Sequence, residues 1–213
     1  AEFPYRERIM EGTFNVEVST KGILPIEPTN TARGYRFFTR DRGRAIAMTA
    51  SSLAYSRFAG YENRDRFLSE ARAILPEYLA CVVDEGRDTR VTRIGVRFIN
   101  AIELPADDGK DVNLDAIFTG LPQPILDEPI SLLGVDRLTR STATGASSRV
   151  RLLGPVADEQ SGGLVFMLDI DVWRDLDLSV HDDDAMAAVL TDLFDLRSRL
   201  FFGSLHDGFL ARY

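Results

Sequence analysis

Residues Arg93–Leu104 read RIGVRFINAIEL, a stretch in which apolar and polar side chains alternate. The same two-residue period recurs in GYRFF at Gly34–Phe38 and in LDIDVW at Leu168–Trp173. Because successive side chains of a strand point to opposite faces, this period predicts β-strands with one buried apolar face and one polar face. Arginine or aspartate occupies the polar side of each stretch. The pattern predicts a sheet, and it does not specify a reaction.

Two segments of the chain have helical rather than strand periodicity. After Asn63, which is a favourable N-cap, apolar residues recur at helical spacing to about residue 84, on both sides of Pro76. A second helical stretch runs from about Asp182 to Phe202. The order of elements is strands, a helix, strands and a helix. It predicts an α+β fold, an antiparallel sheet with two long helices packed on one face, and it leaves open a duplicated strands-then-helix unit.

Further strands are predicted wherever the two-residue period is bounded by turn residues. A short helix is expected at 113–118. The expected strands are 12–19, 34–40, 44–50, 52–58, 90–104, 131–142, 147–155 and 164–173.

The length of 213 residues and the hydrophobic content of 45% predict a single domain over residues 1–213. Residues 1–33 form an N-terminal segment, and residues 105–129 form a proline-rich excursion. Loops of that length are uncommon in a compact domain unless they serve a function. The chain has no apolar run of the roughly 20 residues that cross a bilayer, and residues 1–10 do not resemble a signal peptide. We therefore expect no membrane partner and a cytoplasmic location.

The net charge of −8 is unevenly distributed along the chain. Residues 151–213 contain 12 acidic residues and 5 arginines. This excess of acid favours a basic protein partner, disfavours nucleic acid, and leaves self-association open. The single cysteine, Cys81, cannot form an intrachain disulfide, and its place in the first helical stripe predicts core packing.

Charged residues occupy the polar sides of the two longest predicted strands. Arg93 and Arg97 share one side of the first strand, and Asp169, Asp171 and Trp173 share one side of the second. Two carboxylates at positions i and i+2 repel each other, so they need arginine or a metal ion nearby. If the two strands pair, these residues form a ladder of ion pairs.

Asn100 is an amide on the otherwise apolar side of the first of these strands. A buried amide needs hydrogen-bond partners, so Asn100 either ties down a neighbouring backbone group or lines a polar pocket.

A metal-dependent phosphoesterase or nuclease is the catalytic alternative, with Asp169 and Asp171 as ligands and Glu103 as a third. One D-x-D motif is a weak signal. The chain also lacks a phosphate-cradling glycine loop, a zinc motif and a G-x-S-x-G motif. We therefore expect no metal and no cofactor. The sequence identifies no catalytic residue, and it does not decide whether the protein is an enzyme.

Several segments, taken together and in order, resemble a sporadically distributed family of bacterial proteins of uncharacterised function. The matching segments are GYRFFTRD at 34–41, SRFAGYE at 56–62, VTRIGVRFINAIELP at 91–105, LDIDVW at 168–173 and LRSRLFFGSLHDGF at 196–209. The resemblance implies that Arg93, Arg97, Asn100 and Asp171 belong to family motifs. His206 departs from the family pattern, which argues against a catalytic role for it.

The family supplies no activity, but its patchy occurrence is similar to that of toxin–antitoxin and phage-defence components. We therefore expect a non-enzymatic interaction module, either antitoxin-like or a defence-system partner. The alternatives are the metal-dependent enzyme and a small-ligand sensor with its pocket near Asn100 and residues 105–129. The expected binding surface consists of Arg93, Arg97, Asn100, Asp169, Asp171 and Trp173.

Overall fold

Contacts within the chain define two compact units, Ala1–Arg87 and Asp88–Tyr213. Each unit contains an antiparallel sheet of four strands, so the predicted α+β class is confirmed. The division into two units does not test whether the chain folds as one domain, so the single domain expected over residues 1–213 stays a prediction. The structure, a computed structural model, describes residues 2–13, 16–19, 22–25, 29–58, 60–82, 89–104, 114–121, 133–157 and 163–211.

Strands β1, β4, β5 and β6 of the first unit form its four-stranded sheet in that order, and β2 pairs with β3 in a separate hairpin. The predicted strand at 12–19 is divided between β1 and β2, and Phe14 lies outside the described residues. The elements of this unit are β1 (Tyr5–Thr13), β2 (Val16–Ser19), β3 (Gly22–Pro25), β4 (Thr29–Phe38), β5 (Arg44–Thr49), β6 (Leu53–Arg57) and α1 (Arg64–Val82).

Helix α1 is buried along only part of its apolar stripe. Tyr78 is its one buried side chain, although the helix continues through Pro76 as predicted. Cys81 is exposed, so the prediction that it packs in a core is wrong. The apolar stripe that contains Cys81 is buried around Tyr78 and open at the end of the helix, where Val82 is also exposed.

Polar contacts hold α1 against β6. The Tyr55 hydroxyl donates to a Glu70 carboxylate oxygen at 2.5 Å, and Arg57 Nη1 donates to the same carboxylate at 2.8 Å. Hydrogen bonds from Tyr55 and Arg57 lower the pKa of Glu70 to about 2, so the carboxylate is ionised at neutral pH.

The second unit has the strand order β7-β10-β9-β8, and all neighbouring strands are antiparallel. A 3₁₀ turn at Leu114–Ala116 lies within the short helix expected at 113–118, and the excursion at 105–113 and 122–129 lies outside the described residues. The elements of this unit are β7 (Arg90–Leu104), β8 (Leu133–Arg140), β9 (Ala146–Ala157), β10 (Leu164–Ser179), α2 (Asp183–Gly203) and α3 (Asp207–Leu210).

Strand β10 lies inside the sheet and forms the centre of the core in the second unit. Four of its apolar side chains are at most 1% exposed, because α2 packs over β10 and β7. Helix α2 begins where the Asp182 side chain accepts a hydrogen bond from the Ala185 amide. Its predicted bounds are correct to within one or two residues. The buried side chains contributed by the two elements are Phe166, Leu168, Ile170, Val172, Met186, Leu193 and Phe194.

The two sheets differ in strand order. The first follows the order of the chain, whereas in the second the last strand, β10, lies between β7 and β9. The described residues therefore form two four-stranded sheets, and the expected sheet carrying both helices on one face is not confirmed. Among the described residues, neither long helix has the length and hydropathy needed to cross a membrane.

The two faces of the second sheet allow a matched stability test. Ile170 is 0% exposed, whereas Ile99, on the opposite face, is 54% exposed. We predict that Ile170→Ala lowers the free energy of unfolding by about 2–5 kcal/mol because it leaves a cavity. Ile99→Ala should lower it by less than about 1 kcal/mol. Urea denaturation measures both, and equal losses would contradict the assignment of the faces.

Candidate interaction face

The polar face of the second sheet is built by the register of its strands. In an antiparallel sheet, directly opposite residues point to the same face. Pairing of β7 with β10 sets Arg97 opposite Asp171, and pairing of β10 with β9 sets Asp171 opposite Arg149. The same register places Asp169 opposite both Ile99 and Arg151. The predicted ladder thus lies on strands that pair with each other.

Asp169 is the centre of this face. Asp169 is 7% exposed, and its carboxylate accepts hydrogen bonds from two arginines on the flanking strands. Arg97 makes a two-point contact, with Nε at 2.9 Å and Nη2 at 2.8 Å, and Arg151 Nη2 lies at 2.5 Å. Such bidentate guanidinium–carboxylate contacts fix geometry as well as charge. The ion pairing predicted between the two strands is confirmed for Arg97 and Asp169.

The pKa values of the two central carboxylates, Asp169 and Asp171, are shifted in opposite directions. Burial raises the pKa of Asp169, but the hydrogen bonds and charges of Arg97 and Arg151 outweigh burial and hold this pKa below its ordinary value. Burial raises the pKa of Asp171, and the nearby Asp169 charge raises it further, against the opposing charges of Arg93 and Arg97. Asp169 is therefore the counter-ion that stabilises the arginines, whereas ionised Asp171 is held at a cost.

Trp173 and its neighbours occupy one end of the face. The Arg93 guanidinium carbon lies 4.6 Å from the centre of the Trp173 ring, at cation–π distance. Gly95 lies opposite Trp173, and a Cβ at position 95 would be 3.3 Å from the Trp173 Cβ. Glycine therefore leaves room for the indole to lie across the strand.

The outer strands extend the charged surface. Arg149 of β9 donates to Asp136 of β8 through Nε at 2.9 Å and Nη2 at 2.5 Å. Leu138 lies opposite Arg149, and Arg140 lies opposite Ser147. Basic, acidic and aliphatic side chains thus alternate across all four strands.

The other end of the face is apolar. Leu153 lies opposite Met167, and Val156 lies opposite Val165, so these four side chains share the face although positions 153 and 156 differ in parity. The parity changes because the register shifts at Gly154, where φ is +141° and a Cβ would lie 2.9 Å from the Val165 carbonyl oxygen. A glycine-based bulge therefore adds Val156 to the apolar end.

Asn100 lies on the other face of the sheet. Its side-chain amide donates to the Leu168 carbonyl oxygen at 3.2 Å, which is the backbone-tying alternative from the sequence. Asn100 lies opposite Leu168, on the side that α2 covers and not on the polar face of Asp169. Its membership of the expected binding surface stays a prediction.

The geometry bears on the metal alternative as well. Both oxygens of Asp169 accept from guanidinium groups, and Glu103 lies opposite Val165, about 13 Å along the strand from Asp169. Ligands of one metal ion must lie within about 2.6 Å of it. Among the described residues, no group of three or more His, Cys, Asp and Glu side chains is placed to hold a metal ion.

Sequence reasoning missed several charged residues of this face, among them Arg149, Arg151 and Asp136. The alternation of Arg149, Val150, Arg151 and Leu152 in β9 has the period that identified Arg93 and Arg97. That signal was sufficient to place two more arginines on a polar face. It was not sufficient to place them beside β10, because strand order is not encoded in periodicity.

No family model, curated protein or solved structure matches this chain. The resemblance to a sporadic bacterial family therefore stays a prediction, and function has to be argued from the face itself.

The central ion pair predicts opposite effects of two neighbouring substitutions. Asp169→Asn should lower the free energy of unfolding at pH 7 by about 1–3 kcal/mol, because two guanidinium groups lose a charged acceptor. Asp171→Asn, the matched control on the same strand, should leave that energy unchanged or slightly raise it, since burial disfavours the charge it removes. Urea denaturation measures both; a larger loss for Asp171→Asn would refute the assignment.

The pH dependence of these effects follows from the two pKa directions. The folded-state pKa of Asp169 is lowered, so its contribution is present above the unfolded value of about 3.9 and is lost as the pH falls through the folded value. The difference between wild type and Asp169→Asn should therefore shrink as the pH falls below about 4. Denaturation curves at several acid pH values test this, and a difference that grew in acid would contradict it.

Proposed function

We propose that this protein is a non-enzymatic interaction module whose second unit binds a partner protein through the polar sheet face. The observation that supports the proposal is the presence of exposed aliphatic side chains beside a fixed lattice of ion pairs. Ile99, Leu138, Leu153 and Val156 are between 51% and 68% exposed, and all four share this face. Single exposed apolar residues are ordinary, whereas a group on one open face is typical of a binding surface.

The size of the face suits a protein partner. Four strands at about 4.8 Å spacing and nine residues at about 3.4 Å give a face of about 19 Å by 30 Å, or roughly 600 Å² in projection. A stable complex buries about 800 Å² of accessible surface on each partner, and accessible area exceeds projected area. The face is therefore large enough for a specific interface without further elements.

The ion pairs define the chemistry of the partner. Asp169 is buried beneath the guanidinium groups of Arg97 and Arg151, which remain partly exposed. Because the aspartate holds these forks in place, little side-chain entropy is lost when a ligand contacts their remaining N–H groups. We infer a partner with an aliphatic strip flanked by carboxylate or carbonyl acceptors.

The charges on the face balance, which separates this proposal from nucleic-acid binding. In register, five arginines and five acidic residues of the described sheet share the face. A phosphate backbone needs excess positive charge, which a face with equal numbers of arginines and acidic residues does not supply. The residues in question are Arg93, Arg97, Arg140, Arg149, Arg151, Glu103, Asp136, Asp169, Asp171 and Asp175.

The finer expectations from the sequence stay proposals with their own support. A basic partner is supported by the exposed acids at the start of α2, Asp182–Asp184, which lie off this face. The antitoxin-like or defence-system role is supported by the family resemblance alone, as is the bacterial origin. A cytoplasmic location is supported by the absence of a membrane-spanning pattern in the sequence. The duplicated strands-then-helix unit is supported by element order, although the two strand orders differ.

A partner is first identified by retention on the tagged protein, including the products of neighbouring genes, and is then purified. We predict that Leu153→Asp raises the dissociation constant of the purified pair at least about tenfold, because a charge enters the apolar end of the interface. Phe202→Asp, which alters an equally exposed apolar side chain of α2, should leave affinity unchanged. Calorimetry measures both, and circular dichroism checks folding.

Salt gives an independent readout on the same purified pair. Because the charges on the face balance, affinity should change by less than about threefold between 50 mM and 500 mM salt. Equal affinities of wild type and Leu153→Asp would refute the proposed face. So would retention of nucleic acid instead of protein, or self-association that Leu153→Asp abolishes without any partner.

A further inference from the structure

The second unit contains a cavity on the face opposite the proposed interaction surface. Helix α2 packs over β10 and β7, and the helix-facing side of β8 and β9 is left beside a cavity of about 230 Å³. The roof consists of the last turns of α2 and the segment 118–121. The cavity therefore lies beside the strands that α2 does not pack against most closely, β8 and β9.

The walls of the cavity are mainly apolar. Leu168 of β10 forms part of the floor, and the hydroxyls of Thr139 and Ser148 are satisfied by each other at 2.6 Å. A mainly apolar pocket with a few polar groups is the usual form of a small-molecule site. The apolar lining residues are Phe118, Leu121, Val135, Val150, Leu152, Leu168 and Leu200.

Two guanidinium groups line this apolar cavity. Arg137 of β8 donates from Nη2 to the Gly120 carbonyl oxygen at 3.2 Å, and its other N–H groups have no hydrogen-bond partner among the described residues. Arg199 of α2 has no hydrogen-bond or ion-pair partner within the described part of the chain. No acidic side chain is among the described lining residues. The cavity thus combines an apolar body with two positive charges.

We propose that this cavity binds a small organic monocarboxylate, with its apolar body against Leu152 and Leu168 and its carboxylate on Arg137 and Arg199. The planar guanidinium fork matches a carboxylate, and a charge-assisted hydrogen bond is about twice as strong as a neutral one. An apolar cavity of about 150 Å³ already accommodates benzene, so 230 Å³ holds a phenyl ring and a short acid chain.

This site agrees in part with the ligand-sensor alternative from the sequence. The cavity includes 118–121 of the proline-rich excursion, and Leu168 is the residue opposite Asn100. The Asn100 amide, however, donates to the Leu168 carbonyl oxygen and does not line the cavity. The two cationic groups of the cavity belong to Arg137 of β8 and Arg199 of α2. None of the residues assigned to the interaction face takes part, because the two sites lie on opposite faces.

The test uses isothermal titration calorimetry of the full chain with 3-phenylpropionate and with octanoate. At least one acid should bind saturably with a dissociation constant in the millimolar range or below. The corresponding amide, 3-phenylpropionamide or octanamide, should bind about tenfold more weakly, because it lacks the charge. Inorganic phosphate should not compete at equal concentration, because it has no apolar body.

Four variants assign the binding to the cavity. Arg199→Gln should weaken binding of the acid about tenfold, and Arg199→Lys should restore part of the loss. Val135→Phe should block binding of acid and amide alike by filling the cavity. Arg140→Gln, which removes an arginine from the opposite face of the same strand, should leave binding unchanged. Circular dichroism confirms that each variant is folded.

Three outcomes would overturn the proposal. The first is that neither acid binds saturably at 10 mM. The second is that Arg199→Gln and Arg140→Gln weaken binding of the acid equally. The third is that inorganic phosphate displaces the bound acid as effectively as a second acid does. If Leu153→Asp has no effect on partner binding, the proposed interaction face is refuted but the proposed carboxylate site is not, because the two sites lie on opposite faces of the sheet.

Discussion

A carboxylate buried in a sheet has to be paired, and Asp169 is paired with Arg97 on one side and Arg151 on the other. A slip of one residue in β10 would turn Asp169 into the core and Ile170 out to solvent, so charge and hydrophobicity specify the same register. That register determines which side chains of the four strands lie next to each other on the polar face of the second unit. The position of the aliphatic end and of Trp173 follows from it.

The second constraint is the number of helices available to cover the sheet. One helix, α2, packs on β10 and β7 of the second unit. Among the described residues of this unit, no helix covers the polar face, and the β8–β9 half of the other face borders a cavity lined by Arg137 and Arg199. The two proposed sites thus lie on opposite faces of one sheet. Ion pairs occupy the polar face, and the guanidinium groups of Arg137 and Arg199 line the cavity on the other face.

Periodicity was sufficient to predict most elements but not their arrangement. The bounds of β7 are those predicted, because apolar side chains occupy every second position from Ile94 to Leu104 except Asn100. Strand β10 extends to Ser179, past the predicted end at Trp173, and Leu176 and Leu178 continue the two-residue alternation in the DLDLS sequence after Arg174. The pairing of Arg97 with Asp169 was predictable from charge. The contact of Arg151 with Asp169 was not, because it requires that β9 lie next to β10. Cys81 was misplaced because a helical stripe shows which face is apolar, not how far a partner covers it.

The most direct measurement of the central claim is site-specific photo-crosslinking in the cell of origin. A photoreactive residue replaces Leu153 on the open face and, in a matched protein, Phe202 on α2; both side chains are apolar and more than half exposed. If the open face binds a protein, position 153 should crosslink to one major protein species and position 202 should not. Crosslinks of equal yield from both positions, or to nucleic acid from position 153, would contradict the proposed interaction face.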